Sequence, residues 1–504
     1  MTHRLKVHYL GDTKTVTIPT GTRLIDALRE NGFDIAAPCG GNGTCGKCRV
    51  LLPDEGFVTA CIYHVSKDLE VILPEPRESK ILTTQYQYSR VMPLAPGDAA
   101  NRSPYPFGVA VDIGTTTMAL YLVQLITGAL VETRTVPNPQ SAYGADIISR
   151  INYCVQNNDG TAVLQQGLIT TINEQLDDLA TRQGISVNDM IKLTFSGNTT
   201  MLHLLLGENP RSLAFVPFTP VFTSGQVRKG SDLDLHCHPD AEIRVLPSLT
   251  AYIGADIIAG IASLSPPEHH RHYLFVDIGT NGEMALVTPE KIFCCATAAG
   301  PAFEGANISC GMGALQGAIS SYLPGEGYRT IADLPPAGIC GSGLIDIVAG
   351  MLHEGILQPD GFLENDHVVV EPGLSGTGNA IVITPADIRE VQLAKSAISA
   401  GMKTMVSAAR LDFEAIDAIY LAGGFGNYIR TASAVAIGLL PETLSEKVIP
   451  VGNTSGTGAT LALQSVLFYR EMDAVLDRMH YIELSDNDTF NLEFAMNMSL
   501  GSMG

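Results

Sequence analysis

The chain has 504 residues, 45% hydrophobic and 16% charged, with 50 glycines, 28 prolines and a formal charge of −21. That length exceeds one simple core and predicts two or three units, while the apolar content argues against wholesale disorder. The acidic balance excludes nucleic acid and anionic membrane surfaces as partners and suits proteins with basic faces.

The opening MTHRLKVHYLGDTKTVTIP alternates polar and apolar residues and lacks the unbroken apolar core of a secretory signal. No run of about 18 uncharged apolar residues follows, so no membrane span is expected. Residues 5–10 and 15–19 predict two short strands around a turn at 11–14, and residues 24–31 have helical spacing. A Cys/Gly-rich loop comes next, then apolar runs at 50–52 and 69–73, and the PEP at 74–76 closes a unit over residues 1–76. Residues 77–106 lack sustained periodicity and predict a linker that docks on its neighbour. From 107 to 504, strand-like runs alternate with helical stretches, the pattern of an α/β body; the terminal MNMSLGSMG is expected to fray.

Four of the ten cysteines crowd into PCGGNGTCGKCRVLLPDEGFVTAC: Cys39, Cys45, Cys48 and Cys61, spaced C-x5-C-x2-C-x12-C. That is not how a disulfide framework is distributed, and it predicts a reducing, cytoplasmic setting. Four thiolates near the plant-type spacing point to a 2Fe-2S cluster. Gly40, Gly41, Gly43 and Gly46 would let the backbone turn its N–H groups toward the sulfurs. A structural zinc site is the alternative, but it usually draws two close pairs, and only Cys45 and Cys48 form one. Cys154, Cys237, Cys294, Cys295, Cys310 and Cys340 are scattered and read as core packing.

Two echoes run through the body. FGVAVDIGTTTMALYLV at 107–123 and YLFVDIGTNGEMALV at 273–287 share a strand, Asp-Ile-Gly-Thr and a second strand, which suggests two related lobes, about 107–270 and 271–504. GADII also occurs twice, at 144–148 and 254–258, as weaker evidence. In the first copy, Asp112 precedes a turn in which Gly114, Thr115, Thr116 and Thr117 offer N–H and hydroxyl groups to phosphate oxygens. Asp277, with Gly279, Thr280, Asn281 and Gly282, offers the same chemistry from the other lobe, so ATP could be clamped between them with Mg²⁺ held by the aspartates. In IYLAGGFGNY, Gly423 and Gly424 would leave room for adenosine, and ICGSGLID at 339–346 is a further candidate for the cleft. Asp146, Asp256 and Glu283 are candidates to position the attacking water, each with a plain alternative as a helix cap or surface acid. His269, His270 and His272 read as a solvated turn.

DIGTTT, DIGTNGE and LAGGFG together resemble the phosphate and adenosine motifs of the actin, sugar-kinase and heat-shock-chaperone ATPases. With the N-terminal cysteine unit and SGNTTM at 196–201, the whole chain is similar to the reductive activators of corrinoid-dependent enzymes. The resemblance implies a β-grasp ferredoxin-like domain followed by a two-lobed, ribonuclease H-like ATPase body, an α/β and α+β chain. It also implies an ATP-hydrolysing activator that passes an electron from the cluster to the Co(II) corrinoid of a partner corrinoid protein or methyltransferase, restoring Co(I). An upstream reductase or ferredoxin and a homodimer are implied with it. The chain is short for that family between the ferredoxin and ATPase units, where some relatives carry a middle domain. Two other readings fit parts of the sequence: an ATP-driven donor to a different metalloenzyme, and a nucleotide-binding redox sensor without turnover. A small-molecule kinase would leave the cysteine unit idle.

Overall fold

A computed structural model describes residues 2–9, 12–33, 35, 37, 41, 43, 48–73, 89–98, 103, 105–426 and 428–501. The N-terminal sheet runs β2-β1-β5-β3-β4, from β1 (Thr2–Tyr9), β2 (Asp12–Pro19), β3 (Arg49–Leu52), β4 (Gly56–Thr59) and β5 (Leu69–Ile72). β1 pairs antiparallel with β2 and parallel with β5. α1 (Leu24–Glu30) buries Leu24, Ile25, Ala27 and Leu28 in one core with Leu5, Val7, Val50 and Val71, which makes the unit a β-grasp. Asp12, Thr13 and Lys14 belong to β2 rather than to the predicted turn, because they pair across to Tyr9, His8 and Val7. The described part of the linker docks as predicted: the Arg90 amide donates to the Ser263 carbonyl, and Ala95 exchanges backbone hydrogen bonds with Gln464 and Val466.

The first lobe holds β6 (Phe107–Ile113), β7 (Thr117–Gln124), β8 (Ala129–Pro137), α2 (Ile147–Gln156), α3 (Gly160–Gln183), β9 (Met190–Gly197), α4 (Thr199–Leu205), β10 (Gln226–Lys229), β11 (Glu242–Val245) and α5 (Ala255–Ala262). In the second are β12 (Tyr273–Ile278), β13 (Gly282–Val287), β14 (Ile292–Thr297), β15 (Ala318–Leu323), β16 (Gly327–Thr330), β17 (Gly338–Ile339), α6 (Gly341–His353), β18 (His367–Val370), β19 (Ile381–Ile383) and α7 (Pro385–Ala408). β20 (Ala418–Ala422), α8 (Gly423–Gly426), α9 (Thr431–Ala436), β21 (Val448–Gly452), α10 (Thr454–Gln464), α11 (Phe468–Leu476), β22 (Met479–Tyr481) and α12 (Asp488–Met496) complete the chain.

The two large sheets repeat one plan. β8-β7-β6-β9-β11 in the first corresponds to β14-β13-β12-β20-β21 in the second, three antiparallel strands followed by parallel ones, with β10 and β22 added at opposite ends. Each DIGT therefore ends the first strand of its sheet. The GADII copies do not share in this duplication, since α2 and α5 both follow from first-lobe strands. β12 shows why its run is continuously apolar: Tyr273 and Phe275 enter one core, while Leu274, Val276 and Ile278 enter the other. The core on the Phe275 side is shared between lobes, because α10 packs on α5, β6 and β9. A boundary at 270 thus separates the sheets but not their packing.

The described part of the C-terminal segment, which ends at Gly501, is pinned, contrary to the expectation of fraying, and residues 502–504 lie outside the described residues. Gln392 Nε2 donates to the Met498 carbonyl at 2.9 Å, buried Lys395 donates to the Ser499 carbonyl at 2.5 Å, and the Leu500 amide donates to Pro359 at 2.6 Å. Burial pushes the Lys395 ammonium down to about 8. Its apolar residues are few, so pattern alone could not signal an anchorage made by polar side chains of α7. No helix among the described residues is long and apolar enough to cross a membrane.

Candidate functional site

The two DIGT turns are built alike. The Gly114 amide donates to the Thr117 carbonyl at 3.1 Å, and the Gly279 amide donates to the Asn281 carbonyl at 2.9 Å. Each closes a tight turn directly after an aspartate, and neighbours fix the first one: Asn138 Nδ2 donates to the Gly114 carbonyl at 2.8 Å, buried Arg150 to the Thr115 carbonyl at 2.5 Å, and Asn198 Nδ2 to Thr115 Oγ1 at 3.1 Å. Asn198 belongs to SGNTTM, where it also caps α4.

Sheet register explains which acids meet. Asp112 lies opposite Ser196 of β9, and Asp277 lies opposite both Glu283 of β13 and Ala422 of β20. Asp112 is held at both oxygens, by Ser455 Oγ on Oδ1 at 2.6 Å and Asn453 Nδ2 on Oδ2 at 2.8 Å. Loss of solvent pushes the Asp112 carboxyl up, and those two donors oppose it. Asp256 sits in the first turn of α5, its Oδ1 accepting the Ile257 amide at 2.9 Å. It is pushed up to about 7, by desolvation first and the charge of Asp112 second among the raising causes. Asp277 is pushed up to about 8 by desolvation, then by Asp256, Asp112 and Glu304. Glu283 is raised well above its usual range by desolvation and by Asp256 and Asp277. Acids from both lobes thus lie within electrostatic reach of one another, each partly exposed, but among the described residues no three stand close enough to ligate a metal directly, so a divalent cation would be held here through its water.

Asp146 is placed otherwise. It caps α2, its Oδ1 accepting the Ser149 amide at 2.7 Å in a capping box. Gly423, with φ +86°, is also committed: a Cβ there would stand 2.5 Å from Asp277 Oδ1, so its bareness first makes room for the carboxylate. Gly423→Ala is expected to weaken Mg-nucleotide affinity by about tenfold or more, through strain and displacement of that acid. Titration with a fluorescent nucleotide would show it, and unchanged affinity would dissociate Gly423 from Asp277. Backbone continues through Gly424, while Asn427 lies outside the described residues. In ICGSGLID, a Cβ on Gly343 would meet the Ile319 carbonyl at 2.1 Å, so this glycine serves the seating of α6 on β15. His270 Nδ1 lies 2.7 Å from the Tyr420 hydroxyl, and Asp417 accepts the Arg271 and His272 amides, which accounts for the histidine turn by structure alone.

Asn453, Ser455, Arg150 and Glu304 were not legible as site residues. Asn453 and Ser455 open α10, 341 and 343 positions from the aspartate they hold. GNTSGTG looks like an ordinary glycine-rich turn, although two of its glycines are forced: a Cβ on Gly456 would meet the Tyr121 ring and one on Gly458 would meet Ala259 of α5, both within 2.6 Å.

In the N-terminal unit, Cys48 and Cys61 are buried, and the Cys61 amide donates to Cys48 Sγ at 3.4 Å. Gly41 and Gly43 have φ of +81° and +78°, and a Cβ on Gly43 would meet Ile62 at 2.6 Å, so the loop does use its glycines. Thiols drawn together with amide donation to sulfur fit an iron–sulfur cluster. Cys39, Cys45, Gly40 and Gly46 lie outside the described residues. Cys154, Cys237, Cys294, Cys295 and Cys340 are buried, and burial holds the Cys237 and Cys294 thiols up at about 12, as packing residues should be. Arg29 of α1 donates to the Ala142 carbonyl and stacks over Tyr143 at 5.7 Å, joining this unit to the segment that leads into α2.

Comparison with known proteins matches three stretches of the chain. A 2Fe-2S iron–sulfur cluster binding domain matches residues 7–66, the RACo middle region matches 107–265, and the C-terminal ASKHA domain of RACo matches 271–504. The family's middle region therefore falls on the first lobe. The corrinoid activation enzyme RamQ of Eubacterium limosum is 29% identical over 94% of this chain and 96% of its own. A [Co(II) methylated amine-specific corrinoid protein] reductase of Methanosarcina barkeri is 27% identical over 79% of this chain and 78% of its own. The solved structure of a reductive activator for corrinoid,iron-sulfur protein is 31% identical, with a TM-score of 0.72, and covers 99% of this chain and 98% of that one.

Proposed function

Because this chain belongs to the reductive activators of corrinoid proteins, we propose that it uses ATP to reduce the Co(II) corrinoid of a partner corrinoid protein or methyltransferase to Co(I). The observation that carries the nucleotide half is the meeting of Asp112 and Asp277, one from each DIGT turn, where burial pushes both carboxyls up and Asp112 adds to the rise at Asp277.

Asp112, Asp277 and Asp256 would hold Mg²⁺ through its water, and the turns at Gly114–Thr117 and Gly279–Gly282 would direct amides and hydroxyls at the phosphates. Cys48 and Cys61, with Cys39 and Cys45 from the sequence, would hold a 2Fe-2S cluster, which supplies a one-electron carrier when bound. Asp256 and Glu283 remain the candidates to orient the attacking water, since both face the cleft, whereas Asp146 is engaged as a cap. ATP can assist the uphill electron only by favouring one arrangement of the complex over another. The shared core around α10 and the contact of Arg29 with Ala142 are physical routes from the cleft to the rest of the chain. An upstream reductase or ferredoxin would supply the electron, and a homodimer and a cytoplasmic setting complete the reading.

The test is anaerobic mixing of the reduced protein with a Co(II) corrinoid protein, with and without Mg-ATP, following Co(I) by absorbance. Co(I) that depends on ATP supports the proposal. Co(I) formed equally well without nucleotide removes ATP from the reaction, and none with any of several corrinoid partners moves the electron to a different acceptor.

A further inference from the structure

The hydroxyls that the two phosphate turns would present to a nucleotide already share an acceptor. Thr280 Oγ1, of the second turn, donates to Glu304 Oε2 at 2.6 Å, and Thr116 Oγ1, of the first, donates to the same oxygen at 3.1 Å. Glu304 Oε1 lies against Gly279, 3.7 Å from where a Cβ would stand.

The carboxylate is held firmly in the second lobe. It ends the turn Pro301–Glu304, bounded by Gly300 and Gly305 at φ +78° and +80°, and a Cβ on Gly305 would meet the Met312 backbone at 2.4 Å. That turn packs on α6 and α7. The bond from Thr116 is therefore a tie from one lobe to the other, 188 residues apart in sequence.

Resting on the nucleotide reading above, we propose that Glu304 is a placeholder for phosphate: its Oε2 occupies the position between Thr116 and Thr280 that a phosphate oxygen takes when the nucleotide binds. A threonine hydroxyl has a single proton to donate, so Thr116 and Thr280 cannot serve the carboxylate and a phosphate oxygen together. Binding must exchange one anion for the other, and the exchange releases the first turn from the second lobe. Burial pushes the Glu304 carboxyl up, and the hydroxyls of Thr280 and Thr116 and then the Arg150 guanidinium oppose that shift; the same guanidinium would favour a phosphate in its place. Glu304 thus acts through the two threonines as a positioning residue and sets how much of the ligand's binding energy goes into parting them.

The test uses the full chain with Glu304→Ala and Glu304→Gln. Calorimetric titration with Mg-ADP and with a non-hydrolysable ATP analogue, beside hydrogen exchange of the amides at 114–117 without nucleotide, reads both consequences. Glu304→Ala is expected to bind the triphosphate analogue about tenfold more tightly, the order expected when hydrogen bonds to a charged group need no longer be broken. Glu304→Gln, which keeps the acceptor and loses the charge, should fall between, and it carries the test alone if the alanine variant does not fold. Exchange at 114–117 should quicken in the variants. Equal or weaker binding by a folded variant overturns the placeholder and leaves the nucleotide reading standing. A wild-type chain that binds neither nucleotide sinks the nucleotide reading itself, and the placeholder with it.

Discussion

Asp277→Asn is expected to lower ATP turnover by about a thousandfold, the order seen when one preorganised charge is removed from a reacting phosphoryl or acyl group, while raising the melting temperature of the nucleotide-free protein. Both effects come from one position. Asp277 ends β12, lies opposite Glu283 in register and feels Asp256, Asp112 and Glu304, so without a cation its carboxyl is pushed up to about 8. Asparagine has nearly the same size and fits the space that Gly423 leaves, but it cannot neutralise a cation. For stability, the folded acid keeps a proton that the unfolded acid has already released above its ordinary pKa, so stability falls as pH rises through the interval up to about 8. Asparagine resembles the protonated acid and escapes that fall. With chelator present, the variant's advantage should be near zero at pH 4 and grow toward pH 8; with Mg²⁺ and ATP in place of the chelator it should shrink. Thermal melts across that range decide it: a variant no more stable at pH 8 than at pH 4, relative to wild type, would mean that Asp277 is ionised without a cation.

The aspartates were legible because a strand ending in Asp-Ile-Gly-Thr is a local pattern, repeated, and its position at the end of an apolar run places it at the rim of a sheet. Their company was not. Glu283 becomes the neighbour of Asp277 only through the register of β13, and Ser455 reaches Asp112 from α10 across most of the body. Glu304 stands in GPAFEG, which carries no signal apart from its glycines, and its role follows from where two turns of different lobes converge. GADII shows the same limit: it occurs twice, but one copy places Asp146 in a capping box on α2, within reach of the Arg150 charge, and the other carries Asp256 toward Asp112. Local pattern therefore reported the elements and the turns, and tertiary packing decided which acids share a site.

Replacing Cys61 with serine should have an equally large but separable effect, abolishing corrinoid reduction and the visible absorption of the cluster while leaving nucleotide binding within about twofold, as expected for a site and a substitution in separate cores. Cys61 is 3% exposed in a core that, among the described residues, contains none beyond the N-terminal unit. Its segment is fastened to α1, the Ile25 amide donating to the Ala60 carbonyl at 3.1 Å and the Leu24 amide to Tyr63 at 2.8 Å, so position 61 is set by backbone and survives the change of side chain. What serine removes is a soft thiolate, and an alkoxide donor of far higher pKa is a poor substitute for it in a low-potential cluster. The cleft lies in a different core, built around β6, β12 and α10, and should not register the loss. Absorption of the purified variant, iron content and nucleotide titration separate the outcomes. A serine variant that keeps the cluster's spectrum and still yields ATP-dependent Co(I) would remove Cys61 from the ligand set, and a fourth donor would then have to come from outside the four-cysteine run. If the variant loses nucleotide affinity as well, the two units are coupled even at rest, and the contact of Arg29 with Ala142 and Tyr143 is the place where that coupling would have to pass.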